Sequence, residues 1–264
     1  MEIQQSSFRL GLNWTRESFA LFRQSPSKWM LSALVYVILF MVLPALPMLP
    51  VLLKLLVGLL WPCFLVLVIG MFREADGQRD TELGDMFDEI KPQIGKLVAL
   101  GGVCLVYGLL VSWLTKGDVD ALEAMGNTQV TPEAVLTHLT QSLPLVLKLI
   151  LLLSPLLMAT WFSPMLIAFE NYPLPKAIKS SLAGCLQYLV ALGAGWLMVT
   201  VFMMLGMMTL GLLVGMLAAI SETLGLGLMS LVLFGSLLMA TAWMLAFQYV
   251  SYRDVYKISR LGKS

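Results

Sequence analysis

Six runs of about twenty or more residues, mostly apolar and nearly free of charge, alternate along this chain with shorter polar segments. The runs are Trp29 to Leu49, Val51 to Phe72, Leu97 to Thr115, Leu143 to Phe169, Tyr188 to Ala219 and Leu226 to Val250. A hydrocarbon core about 30 Å thick needs roughly 20 apolar residues of helix to cross it, so each run predicts one membrane-spanning helix. The first two are separated by "LPALPMLP", whose prolines remove backbone donors and predict a tight hairpin.

A different pattern stands before every second run. In "ELGDMFDEIKPQIGKL", Leu83, Met86, Phe87, Ile90, Ile94 and Leu97 recur at helical spacing while Glu82, Asp85, Asp88 and Glu89 fill the positions between them. That spacing predicts an amphipathic helix capped by Asp80 or Thr81 and broken at Pro92. Phe8, Leu12, Thr15, Phe19 and Phe22 form a similar stripe before the first run, ending at Pro26, and Ile178, Leu182, Cys185 and Leu189 form one before the fifth. Two entries into the membrane read alike, "LVALGG" at Leu97 and "LVALGA" at Leu189, and Trp61, Trp161 and Trp243 mark the later helix of each pair. The expected fold is all-α: a single six-helix transmembrane domain of three hairpins, each preceded by an amphipathic surface helix, in pseudo-repeats of about 1–72, 73–169 and 170–264.

Composition agrees, with 59% hydrophobic and only 12% charged residues against the roughly one quarter charged that is usual for soluble domains. Of the 17 lysines and arginines, all but Lys54, Lys116 and Lys148 fall in the segments on one side of the predicted membrane. An excess of positive loops marks the cytoplasmic side, so both termini are expected there. The outer segment from Lys116 to Gln141 is acidic and predicts a short helix starting at Pro132, with Thr131 as its cap. The net charge of +1 gives no reason to expect a nucleic-acid partner, and Cys63, Cys104 and Cys185 are too scattered for a disulfide framework or zinc site.

The entry "GLNWTRESFALFRQSPSKW" holds Gly11, Trp14, Phe19, Leu21, Phe22, Arg23, Pro26 and Trp29. With the later segments "LGDMFDEIKPQIGKLVALG" and "WFSPMLIAFENYPLPKAIKSSLAGCLQYL", it resembles a group of bacterial six-span inner-membrane proteins of unknown activity. A fainter likeness extends to the membrane domain attached to some glycerophosphodiester phosphodiesterases. The resemblance implies a bacterial inner membrane and six helices, and it brings no catalytic residue with it.

Candidate chemistry is sparse. The acids around Asp85, Asp88 and Glu89 lack the spacing of a calcium loop and read as a solvated helix face. His138 has no ligand partner one turn away, and Met203, Met204, Met207 and Met208 read as filler between helices and not as a copper site. Gly211 and Gly215 form a GxxxG suited to close helix packing. Pro62, Pro144, Pro155 and Pro164 interrupt the second and fourth spans, a device that carriers use to build sites, although no acid or arginine lies deep in any span. No catalytic, cofactor or metal site is expected. Arg23, Trp29, Asp85, Asp88, Glu89, Lys176 and Lys179 are the candidate contacts of a cytoplasmic collar with membrane lipids, with another inner-membrane protein or with a second copy of the chain. A carrier or channel for an uncharged or amphiphilic solute is the alternative, and an enzyme working on lipids at the interface is a third reading.

Overall fold

A computed structural model describes the backbone of residues 2–78, 83–125 and 132–256. It is all-helical over these residues, and six of its helices are long and apolar enough to cross a membrane: Pro26–Ala45, Val51–Asp76, Gly84–Leu122, Ser142–Phe169, Leu189–Ala218 and Thr223–Val255. The chain is a multi-pass membrane protein built of hairpins.

The first entry helix, α1 (Glu2–Gln24), stops at Ser25, and Pro26 opens α2 (Pro26–Val37), where its missing N–H costs nothing. A π turn over Ile38–Val42 carries the helix into the short α3 (Leu43–Ala45), and the proline-rich turn leads to α4 (Val51–Asp76). The middle entry helix, α5 (Leu83–Ile90), passes through a 3-10 turn at Lys91–Gln93 into α6 (Ile94–Met125). The return helix α7 (Pro132–Trp161) is followed by α8 (Ser163–Phe169), the last entry helix α9 (Leu174–Gln187), and the final hairpin α10 (Leu189–Ala218) and α11 (Glu222–Val255). The expected caps Asp80, Thr81 and Thr131, and the side chain of His138, lie outside the described residues.

The entry helices follow a cyclic order, each resting on the hairpin before it. α5 touches α4, α9 packs on α7 and α8, and α1 closes the circle on α10 and α11. The end of the bundle that carries these entry helices is here termed basal. There the returning helices finish on similar triplets, Phe72-Arg73-Glu74, Phe169-Glu170-Asn171 and Tyr252-Arg253-Asp254. Phe72 stacks on buried Trp29 at 3.9 Å, Arg73 lies 4.4 Å from the centre of the Phe169 ring, and Phe169 meets Tyr252 at 6.3 Å.

Four expectations change. The buried face of α1 is Gly11, Trp14, Thr15, Ser18, Leu21 and Phe22, while Phe8 is exposed, so the helix turns a smaller and more polar face inward than the aromatic stripe predicts. The short outer helix does not stand alone: α7 runs without a break from Pro132 through Pro144 and Pro155, and α6 extends to Met125. Lys148 ties them together, donating to Asp118 Oδ2 at 2.7 Å and to the Leu114 carbonyl at 2.9 Å. Gly211 and Gly215 touch no other helix within the chain, since a Cβ added at either would meet nothing within 4 Å. Met204 and Met208 face outward instead of filling space between helices.

Candidate functional site

Pro164 cannot donate to the carbonyl four residues back, and the helix breaks just ahead of it, with Phe162 in neither α7 nor α8. The freed groups are satisfied from other elements. Ser181 of α9 inserts its hydroxyl between two groups that a continuous helix would join directly, accepting from the Phe162 N–H at 3.0 Å and donating to the Met158 carbonyl at 2.6 Å. From α11, Gln248 donates to the Trp161 carbonyl at 2.7 Å, and Ser163 bonds back to the Ala159 carbonyl. Ser181 and Ser163 are fully buried and Gln248 nearly so. The bonds they supply remove a desolvation cost of about 1–3 kcal/mol for each otherwise unpaired buried group. At Pro155 the repair is local: Ser154 donates to the Leu151 carbonyl at 3.2 Å, and the helix continues.

The joint borders a cleft. α7 packs on α6 and α9 but meets α10 and α11 only sparingly, and a cavity of about 340 Å³ opens between them, reaching Tyr36 of α2 and Trp61 and Leu65 of α4. Trp161, Thr160, Leu245 and Gln248 are its buried floor, while Leu157 and Trp196 stand at the mouth, 49% and 41% exposed. A second hollow of about 170 Å³ shares Leu157, Trp161 and Trp196 and continues toward Cys185, Leu189 and Gly193. The surface is almost wholly apolar. Thr160 and Thr241 donate to carbonyls of their own helices, and the Tyr36 hydroxyl accepts from Trp61 Nε1 at 2.8 Å, leaving its own O–H without an acceptor among the described residues. Cys185 is no reactive edge to the hollow, since burial pushes its thiol up to about 12, far from the thiolate range.

A second polar centre lies at the basal end. Arg253 of α11, 7% exposed, pairs with Asp76 of α4 at 2.9 Å, with Glu17 of α1 at 2.5 Å and with neighbouring Asp254 at 2.9 Å. Tyr249 donates to Asp76 at 3.0 Å and Trp14 Nε1 to Asp254 at 2.9 Å. Arg73 pairs with Glu89 of α5 at 2.5 Å and with Glu74 at 3.3 Å. These arginines are neutralised and hold entry helices in place.

The residues singled out from the sequence are spread over this end. Arg23, Asp85, Asp88, Glu89, Lys176 and Lys179 are exposed; Asp88 lies 4.0 Å from Lys91, and the Lys176 ammonium sits 3.9 Å from the Tyr172 ring centre. Trp29 is buried in the bundle and offers no surface. They do not converge. The cleft residues Tyr36, Thr160, Trp196 and Gln248 escape the sequence reading; the one signal for them is an amide, Gln248, within a span that otherwise holds few polar groups. No family model, no curated protein and no solved structure matches the chain.

Proposed function

We propose that this is an integral protein of the bacterial inner membrane, with its basal end and both termini in the cytoplasm, that acts by binding and not by catalysis. Its ligand is a membrane lipid, which lays an acyl chain in the cleft between α7 and the α10–α11 hairpin. The observation that carries this reading is the cleft itself: an apolar cavity of about 340 Å³ whose exposed mouth, Leu157 and Trp196, lies on helices long and apolar enough to cross a membrane. Apolar pockets with a few placed polar groups suit amphiphiles. The polar side chains on its wall, Tyr36, Thr160, Thr241 and Gln248, are neutral groups largely engaged within the bundle, which offers neither a general base nor an activated nucleophile.

Protein purified in mild detergent is expected to retain lipid in native mass spectra. Leu157→Trp and Ala240→Phe narrow the cleft and should lower the retained fraction several-fold. Leu151→Trp, at a position 73% exposed outside the cleft, should leave it unchanged. Equal retention by all three variants would sink the proposal. The proline-broken joint beside the cleft favours passage of an amphiphilic solute as the second reading, which exchange of a labelled lipid between the leaflets of proteoliposomes would reveal.

A further inference from the structure

Arg9, Arg16 and Arg23 follow one another at seven-residue intervals along α1. Two helical turns take 7.2 residues, so the three guanidinium groups share one face, drifting by only about 20° per step and rising by about 10 Å. All three are exposed, and none is ion-paired among the described residues. Asn13 and Ala20 are the exposed residues between them. The opposite face, with Gly11, Trp14 and Ser18, is held by α10 and α11: a Cβ at Gly11 would strike the Ala191 carbonyl, Trp14 reaches Asp254, and Ser18 accepts from Trp243 Nε1 at 3.0 Å. Glu17, the acid of α1 whose side chain is described, turns inward to Arg253. Among the described charges of α1, the fold thus draws the acid toward the bundle and leaves the arginines out.

The flank of the same helix is apolar and continuous with the membrane-facing surface. Phe8 is 45% exposed, and Phe19 packs on Phe202 of the α10 span, itself 49% exposed. A helix with one flank merging into a spanning surface and a row of exposed arginines beside it sits where acyl chains give way to headgroups.

We infer that the outer face of α1 is a binding site for the phosphate headgroups of anionic phospholipids, with Arg9, Arg16 and Arg23 as its contacts. The charge complementarity and the continuity with the spanning surface select lipid over an acidic protein. Guanidinium groups suit this ligand because their fixed fork of donors matches phosphate oxygens. The inference rests on the lipid-binding reading above, but its contact residues lie outside the cleft and take no part in the Arg253 ion pairs.

Detergent-purified protein, with the cleft narrowed by Leu157→Trp so that acyl-chain capture does not contribute, is titrated with dioctanoyl phosphatidylglycerol and with dioctanoyl phosphatidylcholine. The phosphatidylglycerol should bind more tightly, and each of R9Q, R16Q and R23Q should reduce that preference about fivefold at low salt. Concentrated salt should suppress it as well. Lys54→Gln, at the other end of α4, is the control and should retain it. The single variants keep the test decisive should the triple variant fail to fold. No preference in the starting protein, or a preference that survives R9Q/R16Q/R23Q, would overturn the inference. So would loss of a co-purifying acidic protein in those variants without any change in lipid preference.

Discussion

Arg253→Met is expected to be the most damaging substitution at the basal end of the molecule. Methionine keeps most of the volume but leaves Asp76, whose side chain is 15% exposed, without its cation, and releases Glu17 of α1 and Asp254. Removing one partner of a buried pair costs about 3–5 kcal/mol, because the surviving charge stays where water cannot reach it. Glu17 is 41% exposed and contributes little to that figure, so the Asp76 pair carries most of it. Thermal unfolding in detergent should drop sharply for R253M and recover in part when Asp76→Leu is added, since that second change removes the stranded carboxylate. A fall that D76L does not relieve would show that Arg253 acts through packing alone.

The second large effect is expected at two glycines. A Cβ at Gly101 would lie 2.3 Å from the Leu59 carbonyl oxygen, and one at Gly11 would lie 2.2 Å from that of Ala191. Both obstacles are backbone, so relief requires whole helices to separate: α6 from α4 in one case, α1 from α10 in the other. Overpacking costs about 1–3 kcal/mol where side chains can adjust, and more where they cannot. Gly101→Val and Gly11→Val should therefore abolish the monodisperse peak in size-exclusion chromatography. Gly211→Ala and Gly215→Ala should elute unchanged, because open space surrounds both positions within the chain. Normal behaviour of G101V and G11V would mean that these helix crossings leave room for a side chain.

That contrast shows where sequence reading succeeds in such a protein and where it stops. The spans were legible because an uncharged run of sufficient length has few other uses: the run from Val51 to Phe72 becomes the helix Val51–Asp76. The proline positions were legible too, Pro26 opening α2 and Pro92 lying in the turn between α5 and α6. The faces were not. In a soluble helix the apolar stripe points to the core, but lipid is as apolar as leucine, and close helix contacts are made by small and hydroxyl-bearing residues instead. Gly11, Thr15 and Ser18 therefore face the bundle while Phe8 stays exposed, and a stripe chosen for its aromatics lands about one residue out of phase. The GxxxG motif meets no partner helix within the chain for a related reason: small residues permit an approach without requiring one, and the glycines whose added Cβ would strike another helix include Gly11, Gly101 and Gly195. The cleft and the Arg253 centre depend on pairs such as Gln248 with Trp161 and Arg253 with Asp76, 87 and 177 residues apart, which no local pattern encodes. A proline that frees a carbonyl and a lone amide in another span are hints of such a pair, but only the fold brings them together.

The cytoplasmic placement of the termini and of the arginine row of α1 depends on which side of the membrane receives the basal end. A reporter enzyme that is active only outside the cytoplasm, fused after Ser264, should stay silent, and the same reporter inserted near Asn127 should be active. Activity after Ser264 with silence near Asn127 would invert the molecule, place the arginine row of α1 on the outer leaflet, and contradict the account.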